Sequence, residues 1–555
     1  MTHMHSKIPL AAVALATGMA CAPVPPAVVI TPVGPTTAAI TPGDLRLRLE
    51  IVAHDSMMGR EAGTIYNDKA TDYIAAEAAR IGLRPAGQDG SFFQIVPLVR
   101  RAFSPGTLTA GGQTFTLWRD FLPRDQGRGM RQLAGAQTVF GGSWTNDAAG
   151  LIPAADAAGK VVAIRVPQGW QANRVTLTGR YRDAAGVIVV SLDSIPQPVQ
   201  EALSQPGSGF APEGEVTPLP AFLYGTQAFA RAIFGRALSE LTPGATGQPI
   251  TGQLVMEQTD VPGRRNVVAM IEGSDPALRN QYVAFGAHND HVGFTTTPVD
   301  HDSLRAFNRV VRPQGADNPM RQPTAAEWTR IRAILDSLRA IRPARPDSIY
   351  NGADDDGSGT VALLEAAEAF VNAATPPRRS LLFIWHTAEE QGLIGAMYFS
   401  DNPTVSRDSI VTMINLDMIG RGSAIDLPGG GPGYVQAIGS RRLSSELGRI
   451  VDEVAGTVTP RVQLDYQYDA PGHPQQFYCR SDHYMYARYG IPVAFFSTGG
   501  HPDYHQLTDE VEYIDYDKLA LVTRFVHRIG ERIASQPAPP VVDQPRPDPT
   551  EPCVQ

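Results

Sequence analysis

The chain has 555 residues, of which 43% are apolar and 19% charged, enough for a large buried core and too apolar for global disorder. Its 47 basic residues against 56 acidic ones give a net charge of −9, which argues against a general nucleic-acid-binding surface. Three cysteines (Cys21, Cys479 and Cys553) are too few for a disulfide scaffold or a cysteine-rich zinc module.

Taken in chain order, residues 1–21 read as an export segment, because a short basic start, an apolar run and small residues precede Cys21. The Gly-Met-Ala before that cysteine resembles a bacterial lipoprotein cleavage site. That resemblance implies membrane anchoring through a lipid on Cys21, although Gly18 stands where a leucine is usual. An ordinary cleaved signal with an incidental cysteine is the alternative. Either way the expected location is outside the cytoplasm: periplasmic, on the outer membrane as a lipoprotein, or secreted. Residues 22–42 are rich in Pro, Thr, Ala and Val and read as an extended tether.

Residues 43–100 carry helical patterning. Asp68 to Gly82 places Ala70, Tyr73, Ile74, Ala78 and Ile81 on one side, with Gly82 as a stop. In residues 101–258, Gly and Pro punctuate short apolar runs such as Val161–Val166 and Val187–Leu192, which predicts a smaller β-rich domain without a ligand cluster. From 259 to 535 continuous apolar runs recur: Val267–Ile271, Tyr282–Phe285, Leu381–Trp385, Val411–Leu416 and Pro492–Phe496. Helical patterns such as Thr360–Val371 separate them. This alternation predicts an α/β domain, a mostly parallel sheet covered by helices on both faces. A long insert, about 295–350, contains an amphipathic helix over 322–341. Residues 536–555 read as a disordered tail.

Chemistry-bearing residues follow one strand after another. His288-Asn289-Asp290-His291 ends the first of them, Glu389-Glu390 and Asp417 follow two others, and His501 to His505 follow the last. Asn351 to Gly359 (NGADDDGSG) is a turn leading into the Thr360 helix. Ligands gather at the carboxyl ends of strands in open α/β sheets, so these groups should converge. A pair of divalent metals needs a bridging carboxylate and further ligands on each ion. His288, Asp355, Glu390, Asp417 and His505 supply that number, and Glu389 is left over as a general base. Singly, each piece has a plainer explanation: a solvated turn, an exposed helix start, a core histidine or a polar loop. Asp417 is the hardest to dismiss, since it lies between Leu416 and Met418 in an apolar strand.

The stretches GAHNDHVG (286–293), NGADDDGSG (351–359), HTAEEQGLIG (386–395), INLDMIGR (414–421), RSDHY (480–484) and HPDYHQLTDE (501–510) together resemble the M28 zinc peptidases of the co-catalytic di-zinc aminopeptidase type. The resemblance implies two Zn2+ ions, His288 and Asp417 on one, Glu390 and His505 on the other, and Asp355 bridging them. It implies further that Asp290 hydrogen-bonds and orients His288. Its expected substrates are peptides, with no nucleic acid as partner. Residues 101–258 more weakly resemble a protease-associated (PA) domain, through GKVVAIRVP (159–167) and DAAGVIVVSLD (183–193). The same fold serves carboxypeptidases, dipeptidases and one-zinc glutaminyl cyclases, and a non-catalytic binding ectodomain is a further alternative. The basic residues Arg305, Arg309 and Arg312 of the insert are candidates for a substrate-carboxylate pocket, and a Cys479–Cys553 disulfide is open to the chain.

Overall fold

The computed structural model describes residues 36–124, 129–145, 148–169, 172–210, 218–261, 264–549 and 553–555. The export segment with Cys21, and all but the last residues of the tether, lie outside the described residues. A nine-stranded sheet forms the centre. Its order is Arg84–Pro85, Arg265–Ile271, Ser380–His386, Tyr282–His288, Ile410–Leu416, Val493–Ser497, Tyr434–Ile438 and Gln463–Asp465, and Phe93–Ile95 also pairs with Arg265–Ile271. The four middle strands are parallel. Their flanking neighbours, Arg265–Ile271 and Tyr434–Ile438, run antiparallel. The link between Ile271 and Tyr282 carries no crossover helix, so the chain turns back. The sheet is therefore mixed, with a parallel core that matches the α/β expectation.

Both faces are covered, as the continuous apolar strands require. On one face Phe285 stacks on Phe383 at 5.2 Å and meets Phe370 of the helix Gly359–Val371 at 5.8 Å. Gly530 in the helix Tyr516–Ser535 admits the Phe285 ring, whose Cζ would lie 2.3 Å from any Cβ placed there. On the other face Ala284, Leu382, Ile384 and Met413 pack with Ala396, Phe399 and Tyr486. Adjacent residues such as Ala284 and Phe285 thus serve opposite cores, and full burial of each phenylalanine contributes about 1.5–3 kcal/mol. Arg48, fully buried in the first helix Pro42–Val52, pairs with Glu365 and Glu368 and so ties that helix to Gly359–Val371.

Two additions leave this framework. Leu98–Phe103 and Met256–Asp260 pair antiparallel, with Arg101 opposite Gln258. Between them lies a five-stranded sheet in the order Phe121–Pro123, Ala221–Gly225, Gly186–Val190, Val161–Arg165 and Thr138–Ser143. The second addition enters by Phe294–Asp300 and leaves by Pro346–Ile349, which also pair antiparallel. It holds the helices His301–Val311 and Ala325–Arg339. The latter starts later than the pattern over 322–341 suggests, because Thr324 and Glu327 form a capping box at its start.

The carboxyl terminus differs from expectation. Composition marks residues 536–555 as disordered, yet the described part is attached to the domain built on the nine-stranded sheet. Cys553 is disulfide-bonded to Cys479. The side chain of Gln555 accepts the Tyr478 N–H at 3.0 Å and donates to the Tyr468 and Ala470 carbonyls, each at 3.2 Å. The Asp543 carboxylate accepts the Ser445 N–H at 2.9 Å. A cross-link between distant cysteines holds a segment whose local composition would not order it. Among the described residues no helix is long and apolar enough to cross a membrane.

Candidate metal centre

The four parallel strands bring their carboxyl ends to one edge of the sheet, and the expected residues meet there. His288 is the last residue of its strand. Glu389 and Glu390 follow Ser380–His386, Asp417 follows Ile410–Leu416 directly, and His505 lies in the loop after Val493–Ser497. Asp355 comes from the turn Ala353–Ser358. That turn is not solvated, since Asp354, Asp355 and Asp356 are all buried. The Asp509 carboxylate accepts the backbone N–H groups of Asp354 and Asp355, all at 3.1 Å. Asp356 accepts the N–H of His288 at 3.1 Å and of Gly359 at 2.8 Å. Arg60, itself buried, donates to the carbonyls of Asn351 at 2.6 Å and Gly352 at 2.9 Å. The turn is therefore a rigid mount.

Asp355 is shared between two ligand groups. Its Oδ1 lies 3.1 Å from His288 Nε2, and its Oδ2 lies 3.0 Å from His505 Nε2. Asp417 Oδ1 is 3.8 Å from His288 Nε2, and Glu390 Oε2 is 2.9 Å from His505 Nε2. One group is His288, Asp355 and Asp417; the other is Asp355, Glu390 and His505, joined by His291. His288 Nε2 and Asp355 Oδ2 are buried and make no hydrogen bond. Such atoms are costly unless something else satisfies them. Imidazole nitrogens and carboxylate oxygens converging in this way fit zinc or a related divalent ion. Burial opposes ionisation of Asp355, but His288 and His505 outweigh it and hold the carboxyl well below its usual range.

Glu389 belongs to neither group. Its Oε2 is 3.9 Å from His288 Nε2, and it lines the cleft above both. Burial raises its pKa well above the ordinary value; His288 opposes the rise, and Glu390, Asp417 and Asp482 add to it. The Asp417 carboxylate is positioned by Ser481, whose Oγ donates to Oδ2 at 2.8 Å and accepts from Asn415 Nδ2 at 2.9 Å.

Two details depart from the sequence reading. Asp290 sits beside His288, but the orienting contact is made by its backbone: His288 Nδ1 is 3.0 Å from the Asp290 carbonyl oxygen and 3.7 Å from the carboxylate. The carboxylate instead accepts the Glu389 N–H. The second departure is His291, absent from the expected set. Its Nδ1 lies 2.7 Å from Glu390 Oε1 and 3.9 Å from Asp355 Oδ2. The available signal was its position three residues after His288, but five ligands already completed the expected count.

The cleft over these groups has a volume of about 360 Å³. The proposed arginine pocket of the insert does not form there. Arg305 donates to Asp503 at 2.6 Å and covers the Tyr513 ring, and Arg312 donates to the Asn318 carbonyl at 3.0 Å. Arg309 is exposed. None of the three lines the cleft.

An α/β sheet carrying two possible ligand groups that share one carboxylate, with a further glutamate beside them, fits a metal-dependent hydrolase. Residues 266–529 match the model of Peptidase family M28. Over 179 residues the chain is 30% identical to leucine aminopeptidase 1 of Penicillium rubens, a match covering 30% of this chain and 43% of that protein. The chain thus spans less than half the length of the curated relatives it matches first. Among solved structures, an aminopeptidase from Aneurinibacillus sp. strain AM-1 is 17% identical with a TM-score of 0.49, covering 91% of this chain and 97% of that one. A zinc aminopeptidase from Bacillus subtilis is 17% identical with a TM-score of 0.46, covering 93% and 100%.

Proposed function

We propose that the chain is a di-zinc aminopeptidase that removes N-terminal residues from peptides. The observation that carries this reading is Asp355, placed between two ligand groups with Glu389 free beside them. His288 and Asp417 would hold one ion, Glu390 and His505 the other, and Asp355 would bridge them. Bound there, the metals would supply Lewis acidity and a water of lowered pKa. Glu389 accepts the proton of the attacking water at its carboxylate and delivers it to the leaving amine. Asp290 fixes the backbone from which Glu389 reaches the cleft. The name of the curated relatives, leucine aminopeptidase 1, agrees with cleavage at a free amino end.

We infer export as well. The Cys479–Cys553 disulfide suits an oxidising compartment and agrees with the signal-like composition of residues 1–21, including Cys21 as a lipid attachment point. The test of function is metal content per chain, coupled to hydrolysis of leucine p-nitroanilide before and after chelation. Two zincs with chelator-sensitive cleavage is the expected result. One metal per chain, or two without cleavage of any free-amine substrate, overturns the reading.

A further inference from the structure

The insert of residues 295–350 reaches the cleft through one side chain, Asp317. It lies in the turn Gly315–Asp317 that follows the helix His301–Val311. The turn is seated on the loop that carries His505. Ala316 N–H donates to the Tyr504 carbonyl at 3.0 Å. Gly315, at φ 51°, approaches so closely that a Cβ there would lie 2.3 Å from the same oxygen. Asn318 closes the turn, with its Oδ1 accepting the Gln314 N–H at 2.8 Å.

Asp317 meets Arg480, the one Lys or Arg among the described residues lining the cleft. The contact is bidentate: Nη1 to Oδ2 and Nη2 to Oδ1, both at 3.1 Å. Nη2 also donates to the Tyr504 hydroxyl at 3.2 Å. The Arg480 loop is tethered in turn by the adjacent Cys479, through its disulfide to Cys553. Both partners are thus held on structures independent of substrate. A fork-to-carboxylate pair uses the same guanidinium donors that a free substrate carboxylate would need.

Resting on the aminopeptidase reading, we propose that Asp317 is a specificity-determining residue: by occupying Arg480 it disfavours substrates with a free carboxylate immediately after the scissile bond, namely dipeptides, and favours chains that continue as amides. A dipeptide carboxylate entering the cleft must displace Asp317 or lie beside its negative charge. A longer peptide places an uncharged amide at that point and meets neither obstacle.

The test compares Leu-Gly with Leu-Gly-amide on the zinc-loaded full chain, wild type against D317N and D317A. Wild type should favour the amide by about tenfold or more in kcat/KM, the worth of one charge-assisted contact. D317N should shrink that ratio by about tenfold, through a lower KM for the free dipeptide with kcat little changed. D317A should act in the same direction, and metal content should match wild type in both. A wild-type enzyme that prefers the free dipeptide, or a ratio unchanged in both variants, overturns the proposal while leaving the aminopeptidase reading intact. No cleavage of either peptide by zinc-loaded wild type overturns both.

Discussion

The carboxylate of Asp290 accepts the backbone N–H of Glu389 at 3.1 Å. A residue at the end of one strand therefore fixes the start of the loop that follows its neighbour, and both Glu389 and Glu390 inherit that placement. Glu389→Gln keeps this backbone bond and the side-chain shape but removes the proton acceptor. Metal content should stay as in wild type, and kcat should fall roughly 100- to 10,000-fold. Metal analysis and anilide hydrolysis on the same sample check this; activity within about tenfold of wild type removes Glu389 as the base.

Glu390 is gripped from both sides, by His291 on Oε1 at 2.7 Å and by His505 facing Oε2 at 2.9 Å. His291→Ala leaves Oε1 without its partner. On the two-metal proposal, the ion held by Glu390 should then dissociate about 10- to 100-fold more readily, with the other unaffected. Titration against a chromogenic chelator reads both affinities. Two unchanged affinities would show that Glu390 needs no such support.

His527 lies on the helix Tyr516–Ser535 with its ring against Phe370, centroids 3.9 Å apart. Burial, aided by Arg528, lowers its pKa from 6.5 to about 4. The unfolded chain takes up a proton near pH 6.5, whereas the folded chain resists until about pH 4. The contribution is therefore fully present above pH 6.5 and is lost as pH falls through 4, by roughly 3 kcal/mol. His527→Leu should flatten the loss of stability over that window, measured as denaturation midpoints at successive pH values. An unchanged slope would assign the acid sensitivity to other groups.

The bond between Cys479 and Cys553 joins the carboxyl terminus to the loop preceding Arg480. Replacing both cysteines by serine should lower stability by roughly 2–4 kcal/mol in chemical denaturation and expose residues 536–549 to limited proteolysis. A tail that remains protected in the double variant would place its anchorage in the Asp543 and Gln555 contacts instead.

Much of the sheet was legible because each central strand is a continuous apolar run. Two-sided burial leaves no alternation to confuse with a helix, as Ser380–His386 illustrates. The convergence of these side chains followed from topology, since a carboxylate such as Asp417 directly after such a strand must lie at the sheet's carboxyl edge. What sequence did not convey was rotamer and long-range contact. Nothing in His-Asn-Asp-His says whether Asp290 offers His288 its carbonyl or its carboxylate. Nothing in a proline-rich terminus says that Gln555 will find the Tyr478 backbone. The arginines of the insert were conspicuous in composition, but Arg305 spends its charge on buried Asp503. Asp317, one acid among many, reaches the cleft.

The pairing of Leu98–Phe103 with Met256–Asp260, and of Phe294–Asp300 with Pro346–Ile349, has an architectural consequence. In each case the chain departs and returns on neighbouring strands, about 5 Å apart. Whatever hangs beyond such a doorway can lengthen, shorten or change its fold without altering the register of the four strands inside. The rim of the cleft and the floor that carries its histidines and carboxylates are thus free to change at different rates.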